Sequence, residues 1–471
     1  MTITALRKKF IEGSYTPLDA YHDARKIIDT QDGDIHAFLH VYDDALSVAH
    51  DATERYAKEG EQTPILLGMP IAVKNNILMH GKIATAGSKI LEHYVAPYDA
   101  TVIARLKNES PVFMGSTNLD EFAMGSSTEN SAFGVTKNPI DTSRVPGGTS
   151  GGSAAALRMG ACVVALGTDT GGSVRQPASF CGVVGFKPTY GAISRYGLVA
   201  VGSSLDQAGV LTNSARDAEI LFERMSGKDG MDGTTISSDT YPHVPSKEKY
   251  RIGVPRDFLG AGMDPDVLGV FNETIQKLIE AGHDVVDISL PLFKKGLAAY
   301  YIVQPAEVSS NLARYDGVRY GLHVEGDTLL DDYLATRAQG FGEEVKRRIL
   351  LGTYVLSAGY YDAYYGKAER VRTMMRAELD TVYQNVDLIM TPTAPTPAFK
   401  IGEKSDPLSM YLGDIFTVPV NLTGVPAISL PSGMVERNGI ALPVGVQYIA
   451  PHAGDARLFD FGKKFYDSTL L

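Results

Sequence analysis

Short apolar runs separated by turns rich in glycine and serine fill the chain between about residues 68 and 212. Runs of four to eight apolar residues bounded by turn residues are typical of buried β-strands, whereas helices need longer periodic patterns. The sequence therefore predicts a series of strands here, at residues 71–73, 112–114, 161–166 and 183–186.

The first 60 residues have a different pattern, which predicts a helical N-terminal segment. Thr16, Pro17 and Asp19 match a capping box with proline at the first helical position. Apolar residues then recur at helical spacing from Ala45 to Tyr56. The core of the predicted domain follows this segment, over residues 68–212.

Residues 226–246 interrupt the apolar patterns and are interpreted as a surface connection. Beyond it the order strand, helix, strand predicts a βαβ unit, and a long helical segment is predicted over residues 341–383. Because strand patterns lie on both sides of the connection, we predict one domain over residues 1–471: an α/β fold with a single large mixed β-sheet covered by helices on both faces. The strands predicted in this second half are residues 251–255, 283–288, 388–392, 427–430 and 444–449.

The 471 residues carry a formal net charge of −11. This balance argues against a chain that grips a nucleic-acid backbone by itself, because such binding needs concentrated Lys and Arg. The two cysteines, Cys162 and Cys181, lie in apolar runs and are predicted to pack in the core. Few cysteines, no leader pattern and no long apolar run favour a cytoplasmic protein without a membrane partner.

Three side chains of the core suggest acyl-transfer chemistry. Lys74 ends an apolar run, and a lysine buried there can lose its charge and act as a base. Thr149 and Ser173 lie in glycine-rich turns, where a hydroxyl can be presented beside backbone N–H groups that converge on an anion. These parts suffice for acyl transfer without a metal or cofactor in this chain.

Other templates fit less well. The run from Gly148 to Gly152 matches a G-x-S-x-G nucleophile elbow, but Pro146 argues against the central strand that must precede such an elbow. The sequence contains no phosphate-binding G-x-x-x-x-G-K-[ST] motif and no H-E-x-x-H motif, and its ten histidines are scattered. We therefore predict no nucleotide or metal site in this chain.

The motifs at residues 146–153 and 167–175 resemble those of the amidase signature family, and the spacing agrees: 24 residues separate Thr149 from Ser173 and 99 separate Lys74 from Ser173. The resemblance implies a Ser–cis-Ser–Lys triad with Ser173 as the nucleophile and Lys74 as the base. Position 149 holds threonine where the family has the bridging serine, and that residue follows a cis peptide bond in the family. Ser150 is the alternative bridging hydroxyl. The oxyanion is expected to be held by the N–H groups of Thr170, Gly171 and Gly172.

Residues 116–131, 203–207, 311–321 and 341–349 are most similar to the branch of this family that supplies ammonia to tRNA-dependent amidotransferases. This likeness implies a glutaminase that works with two partners, a tRNA-binding B subunit and a small C subunit, on misacylated Glu-tRNA(Gln) or Asp-tRNA(Asn). ATP and Mg²⁺ would then be used by the tRNA-binding partner.

The same likeness suggests which side chains hold glutamine. Arg348 and Asp414 match positions that bind the carboxylate and the amino group of the substrate. A tyrosine, Tyr300 or Tyr301, is expected to add a contact, with Tyr301 as the assigned candidate.

Two other functions remain open from the sequence. One is a stand-alone amidase that acts on small amides, and it differs from the first in needing no partner. The other is an inactive scaffold, in which the glycine loops and hydroxyls serve assembly alone.

Overall fold

The computed structural model describes residues 1–237, 245–260, 262–404 and 406–469. Within these ranges eleven strands form one sheet. The strands are β1 (Phe38–Val41), β2 (Pro70–Lys74), β3 (Val112–Thr117), β4 (Val164–Asp169), β5 (Val184–Lys187), β6 (Gln207–Thr212), β7 (Arg251–Val254), β8 (Asp284–Asp287), β9 (Leu388–Pro392), β10 (Ala427–Arg437) and β11 (Ile440–Ile449).

Helices connect and cover these strands. The α-helices are α1 (Ile3–Glu12), α2 (Pro17–Ile35), α3 (Ala45–Glu59), α4 (Thr101–Lys107), α5 (Gly151–Arg158), α6 (Arg175–Cys181), α7 (Ala215–Met225), α8 (Pro265–Glu280), α9 (Gly296–Asn311), α10 (Leu329–Gly340), α11 (Glu343–Leu356), α12 (Tyr365–Val382), α13 (Pro407–Tyr411), α14 (Val418–Thr423) and α15 (Asp455–Phe465). Short 3₁₀ turns lie at Gly60–Gln62, Lys89–Leu91, Glu121–Ala123, Phe293–Lys295, Leu312–Arg314, Leu412–Asp414 and Asp467–Thr469.

The sheet is mixed, with the order β1-β3-β2-β4-β6-β5-β10-β11-β9-β7-β8. Strands β3, β2 and β4 are parallel, and so are β9, β7 and β8. The pairs between these groups are antiparallel. The predicted βαβ unit is confirmed as β7-α8-β8, and strands from both sides of the predicted connection join the same sheet.

Side chains that alternate along β2 show that helices cover both faces of the sheet. Ile71 and Val73 belong to an apolar cluster with residues of α1, α4, α7 and α15. Ala72, which points to the opposite face, belongs to a second cluster with residues of α2, α3, α5 and α6. The predicted single large sheet with helices on both faces is confirmed.

Local signals place several elements. The capping box of α2 is present, with the Thr16 hydroxyl accepting from the Asp19 N–H and the Asp19 carboxylate accepting from the Thr16 N–H. Both cysteines are buried, and burial raises the pKa of each thiol to about 12, so neither is a nucleophile at neutral pH.

One prediction about helices is wrong. The segment 341–383 is not one long helix, because α11 ends at Leu356 and α12 begins at Tyr365. Gly359 lies between them with a φ of 87°, a left-handed conformation that a continuous helix cannot include. The predicted connection 226–246 lies partly outside the described residues, at 238–244; its described part is held to the core by the ion pair between Arg195 and Asp232.

The described part of the chain lacks two kinds of feature, a membrane-spanning helix and a metal-ligand cluster. None of its helices combines the length and the apolar character needed to cross a bilayer. None of its groups of His, Cys, Asp and Glu side chains reaches the three ligands that would hold a metal ion.

Candidate active site

The candidate site lies where two neighbouring parallel strands end. Lys74 is the last residue of β2, and Thr168 lies at the end of β4, which pairs with β2 in parallel register. The carboxyl ends of parallel strands meet at one edge of a sheet, the usual position of sites in α/β folds. Thr149 and Ser150 reach this edge from the turn that precedes α5.

Lys74 is fully buried and surrounded by hydroxyl groups. Its Nζ lies 2.8 Å from Thr149 Oγ1, 2.8 Å from Ser150 Oγ and 2.9 Å from Thr168 Oγ1. Burial lowers the pKa of Lys74 to about 7, and the carboxylates of Asp120, Asp169 and Asp206 oppose this shift only in part. Near neutral pH the amine therefore exists in substantial part without its charge, as a base requires.

The turn between β4 and α6 presents Ser173. Asp169 and Arg175 bracket this turn and form a buried ion pair, with Arg175 Nε and Nη2 donating to the two carboxylate oxygens at 3.0 and 2.9 Å. The carbonyl of Ser173 accepts from the Ser150 N–H at 3.1 Å. The turn that carries Ser173 is thus tied directly to the turn that carries Thr149.

The backbone around Ser173 offers free N–H groups. Those of Thr170, Gly171 and Ser173 donate to no other described residue, whereas the Gly172 N–H donates to the Asp169 carboxylate at 2.8 Å. The structure therefore does not leave the Gly172 N–H free for the predicted oxyanion role. Gly172 has a φ of 130°, and a Cβ there would lie 2.3 Å from Thr417 Oγ1, so glycine is required.

The bend before Thr149 is made without a cis peptide bond. Gly147 and Gly148 both have positive φ angles, 86° and 51°, and the Gly148–Thr149 peptide is trans. Two left-handed glycines turn the chain sharply at no steric cost. Both candidate bridging hydroxyls, Thr149 and Ser150, contact Lys74 at the same distance, so the contact alone does not select between them.

Arg348 extends from α11, and its buried side chain borders two partly buried, stacked tyrosine rings. Its guanidinium lies 5.4 Å from the ring centre of Tyr301 and 5.6 Å from that of Tyr411, and these two rings stack at 3.8 Å. Arg348 Nε donates to Glu344 and Nη1 donates to Gln304. The third guanidinium nitrogen, Nη2, has no hydrogen-bond partner among the described residues, which leaves a donor for a substrate carboxylate.

Asp414 is linked to the turn of Thr149 by one side chain. Gln176 Nε2 donates to Asp414 Oδ1 at 3.0 Å, and Gln176 Oε1 accepts from the Gly148 N–H at 2.6 Å. Ser126 Oγ donates to the other carboxylate oxygen at 2.5 Å. Burial raises the pKa of Asp414 to about 7, while Ser126 and Arg348 favour the ionised form.

The two tyrosines occupy different places. Tyr300 lies against the nucleophile turn, because a Cβ at Gly171 would lie 2.7 Å from its hydroxyl oxygen. Tyr301, the assigned candidate, instead stacks on Tyr411 and borders Arg348. The structure thus places Tyr300 next to Gly171, in the turn that carries Ser173, and Tyr301 next to the guanidinium.

Sequence reasoning missed several polar residues around Lys74, Asp414 and Arg348, namely Ser126, Thr168, Gln176 and Glu344. Thr168 lies inside the glycine-rich motif, so proximity in sequence was a signal for it. Ser126, Gln176 and Glu344 reach the site only through tertiary packing, which spacing does not reveal.

Comparison with known proteins agrees with this geometry. The amidase family pattern matches residues 23–459. The A subunit of glutamyl-tRNA(Gln) amidotransferase from Thermodesulfovibrio yellowstonii is 49% identical over 475 residues, covering 100% of this chain and 97% of that protein. The corresponding A subunit from Moorella thermoacetica is 50% identical over 448 residues, covering 94% and 91%.

Solved structures give the same result. The crystal structure of the glutamyl-tRNA(Gln) amidotransferase A subunit from Thermotoga maritima matches with a TM-score of 0.78 and 43% identity, covering 98% of this chain and 93% of that chain. A crystal structure described as an amidase matches with a TM-score of 0.84 and 28% identity over the whole of both chains. The chain belongs to the amidase signature family.

Proposed function

We propose that the chain is the glutaminase component, the A subunit, of a glutamyl-tRNA(Gln) amidotransferase. In this role it hydrolyses the side-chain amide of glutamine and provides ammonia for the amidation of misacylated Glu-tRNA(Gln). The observation that carries the proposal is the buried Lys74 amine within 2.8 Å of the Thr149 hydroxyl, beside the turn of Ser173. Full-length relatives with close to 50% identity and this printed name support the choice of reaction.

The first step is proton transfer. Neutral Lys74 takes the hydroxyl proton of Thr149, and Thr149 takes the proton of Ser173 as Ser173 Oγ attacks the amide carbon of glutamine. A C–O bond forms, and the carbonyl π electrons move to the oxygen. The N–H groups of Thr170, Gly171 and Ser173 are free to stabilise this oxyanion, an effect of about 3 kcal/mol per donor in other enzymes.

The second step releases ammonia. The tetrahedral intermediate collapses, the C–N bond breaks, and the proton held by Lys74 returns through Thr149 to the leaving nitrogen. A water molecule then attacks the acyl-enzyme with Lys74 again acting as the base, which yields glutamate and restores Ser173. A lysine whose pKa lies near the working pH can serve as base and acid in turn.

The substrate site suits a zwitterion. Arg348 offers its free guanidinium nitrogen to the α-carboxylate, and Asp414 offers its carboxylate to the α-amino group. Tyr300, beside Gly171, is the tyrosine positioned to contact the substrate near the reacting amide. Tyr301 holds the Arg348 guanidinium through its ring.

The partners belong to the same proposal. A tRNA-binding B subunit would use ATP and Mg²⁺ to activate the misacylated tRNA, and a small C subunit would complete a heterotrimer. This chain itself would hold no cofactor and would contact tRNA only through its partner. Its net charge of −11 agrees with that division of roles.

The test is ammonia release from glutamine by the chain alone and by the chain co-expressed with its partner subunits. We expect glutaminase activity that Ser173→Ala abolishes without loss of folding, and co-purification of the partner. Hydrolysis of small amides in preference to glutamine, with no partner bound, would favour a stand-alone amidase. Absence of activity together with no labelling by a fluorophosphonate would favour a scaffold.

A further inference from the structure

The hydroxyl groups around Lys74 raise a question of hydrogen-bond direction. A neutral amine has two N–H donors and one lone pair, whereas three hydroxyls lie within 2.9 Å of Lys74 Nζ. The Thr168 carbonyl is a more distant acceptor, at 3.5 Å, so we assign the two N–H groups to two of the nearer hydroxyls and the lone pair to the third. The proton relay works only when that third hydroxyl is Thr149, because only Thr149 is to pass on the proton of Ser173.

Ser150 is already committed as an acceptor. Its hydroxyl donates to the backbone carbonyl of Thr168 at 3.2 Å. With its hydrogen used there, Ser150 Oγ has only lone pairs to offer Lys74. The hydroxyl that donates to the lone pair of Lys74 is therefore either Thr149 or Thr168.

Thr168 has one further neighbour. The side-chain amide of Asn76 lies 3.0 Å from Thr168 Oγ1, with Nδ2 as the contacting atom, and Asn76 Oδ1 is buried without a hydrogen-bond partner among the described residues. In this orientation the Thr168 hydrogen has no acceptor except Lys74. Turning the amide by 180° brings Oδ1 to Thr168, where it accepts that hydrogen.

One amide atom of Asn76 is unpaired in either orientation, so the contact with Thr168 distinguishes the two. Only the turned orientation makes Thr168 an acceptor towards Lys74. The lone pair of Lys74 is then left to Thr149 alone. On the basis of the proposed hydrolysis through Ser173, we propose that Asn76 is a positioning residue. Its side-chain oxygen accepts the hydrogen bond of the Thr168 hydroxyl, so that only the Thr149 hydroxyl donates to the lone pair of Lys74.

A double-mutant cycle tests this inference on the complete complex, with kcat and KM for glutamine as readouts. We expect Asn76→Ala to lower kcat about tenfold and leave KM unchanged, since Thr168 then turns its hydrogen to Lys74. Thr168→Val should lower kcat about threefold, because Lys74 loses one partner. The double variant should have the same kcat as Thr168→Val, because without the Thr168 hydroxyl there is no hydrogen bond for Asn76 to accept.

Asn76→Asp serves where Asn76→Ala does not fold. It keeps the shape and presents only oxygen to Thr168, so at high pH it should retain at least a third of kcat. Its added carboxylate should move the pH midpoint of kcat upward, because a nearby negative charge favours protonated Lys74. The charge alone causes this shift, so the kcat retained at high pH is the readout that tests the role of Asn76, and a loss there as large as that of Asn76→Ala would contradict it.

The rate of fluorophosphonate labelling of Ser173 gives a readout that does not depend on glutamine. A wild-type protein that reacts with the probe but does not hydrolyse glutamine would refute the proposed function, while the cycle could still be measured by labelling. Equal losses on Asn76→Ala with and without Thr168→Val, or a loss expressed in KM, would overturn the role of Asn76.

Discussion

Two buried lysines at the ends of strands look alike by every simple measure. Lys74 ends β2 and Lys187 ends β5, and their exposed fractions are 0% and 1%. Burial lowers the pKa of both to about 7, against an ordinary value near 10.5. A search for perturbed titratable groups would select both lysines equally.

Their neighbours separate them. Lys74 has three hydroxyls within 2.9 Å, whereas the hydrogen bond of Lys187 goes to the backbone carbonyl of Pro188 at 2.7 Å. Arg175 lowers the pKa of Lys187 further, and the carboxylates of Asp169 and Asp455 oppose this shift. A carbonyl has no proton to give, so Lys187 has no group to deprotonate. An uncharged amine is a catalytic base only where a proton donor contacts it.

The largest expected effect on activity comes from removing the amine of Lys74. Lys74→Met should lower kcat for ammonia release by about a thousandfold, within the range of general acid–base contributions. The measurement is glutamine hydrolysis by the complete complex at pH 8, with thermal unfolding to establish that the variant folds. Activity within tenfold of the wild type would mean that another group accepts the proton of Ser173.

A smaller loss is expected at the bridging hydroxyl. Thr149→Val keeps the shape and removes the proton donor, so kcat should fall about a hundredfold. Thr149→Ser restores the hydroxyl and should retain most of the activity. If Thr149→Val stayed active, the bridging hydroxyl would be that of Ser150, which contacts Lys74 at the same distance. Ser150→Ala would then cause the hundredfold loss of kcat.

The pH dependence of kcat/KM should reflect two groups, Lys74 and Asp414, that titrate in the same pH range. Protonation of Lys74 below pH about 7 removes the base, and protonation of Asp414 in the same range removes the partner of the substrate ammonium. Both effects lower kcat/KM as the pH falls, so its slope should approach two logarithmic units per pH unit below pH 6. Asp414→Asn should raise KM and reduce the slope to one. An unchanged slope in Asp414→Asn would exclude Asp414 from substrate binding.

Much of the fold was predictable because short apolar runs and turn residues record local structure. The strand at residues 388–392 was predicted at its observed bounds, and the βαβ order of β7, α8 and β8 follows from periodicity alone. The helix over residues 341–383 failed because its apolar spacing continues through a segment where Gly359 turns the chain. The spacing of apolar residues does not reveal that one residue adopts a left-handed conformation.

The site was predictable only where it is encoded in contiguous motifs. Lys74, Thr149 and Ser173 lie in such motifs, and the structure brings Lys74 and Thr149 into contact. Gln176 was not predicted, although it joins Asp414 to the turn of Thr149, because its role depends on elements more than 200 residues apart. The engagement of the Gly172 N–H by Asp169 also depends on the ion pair with Arg175.

The smallest effect on activity is expected at the second lysine. Lys187→Met should leave kcat within about threefold, because nothing in contact with Lys187 takes part in the relay. Its effect should be on stability, and the sign follows from its pKa. Between pH 7 and 10.5 the unfolded chain holds a proton on Lys187 that the folded chain has released, so the free energy of unfolding rises with pH.

Each such lysine contributes up to about 1.4 kcal/mol per pH unit to that rise. Chemical denaturation at several pH values should show that Lys187→Met and Lys74→Met each lose a similar part of this slope, while only Lys74→Met loses turnover. Equal slopes with unequal activity would establish that burial governs the protonation of both amines and that hydroxyl contact alone makes one of them a catalyst. A loss of turnover in Lys187→Met comparable to that in Lys74→Met would break the distinction.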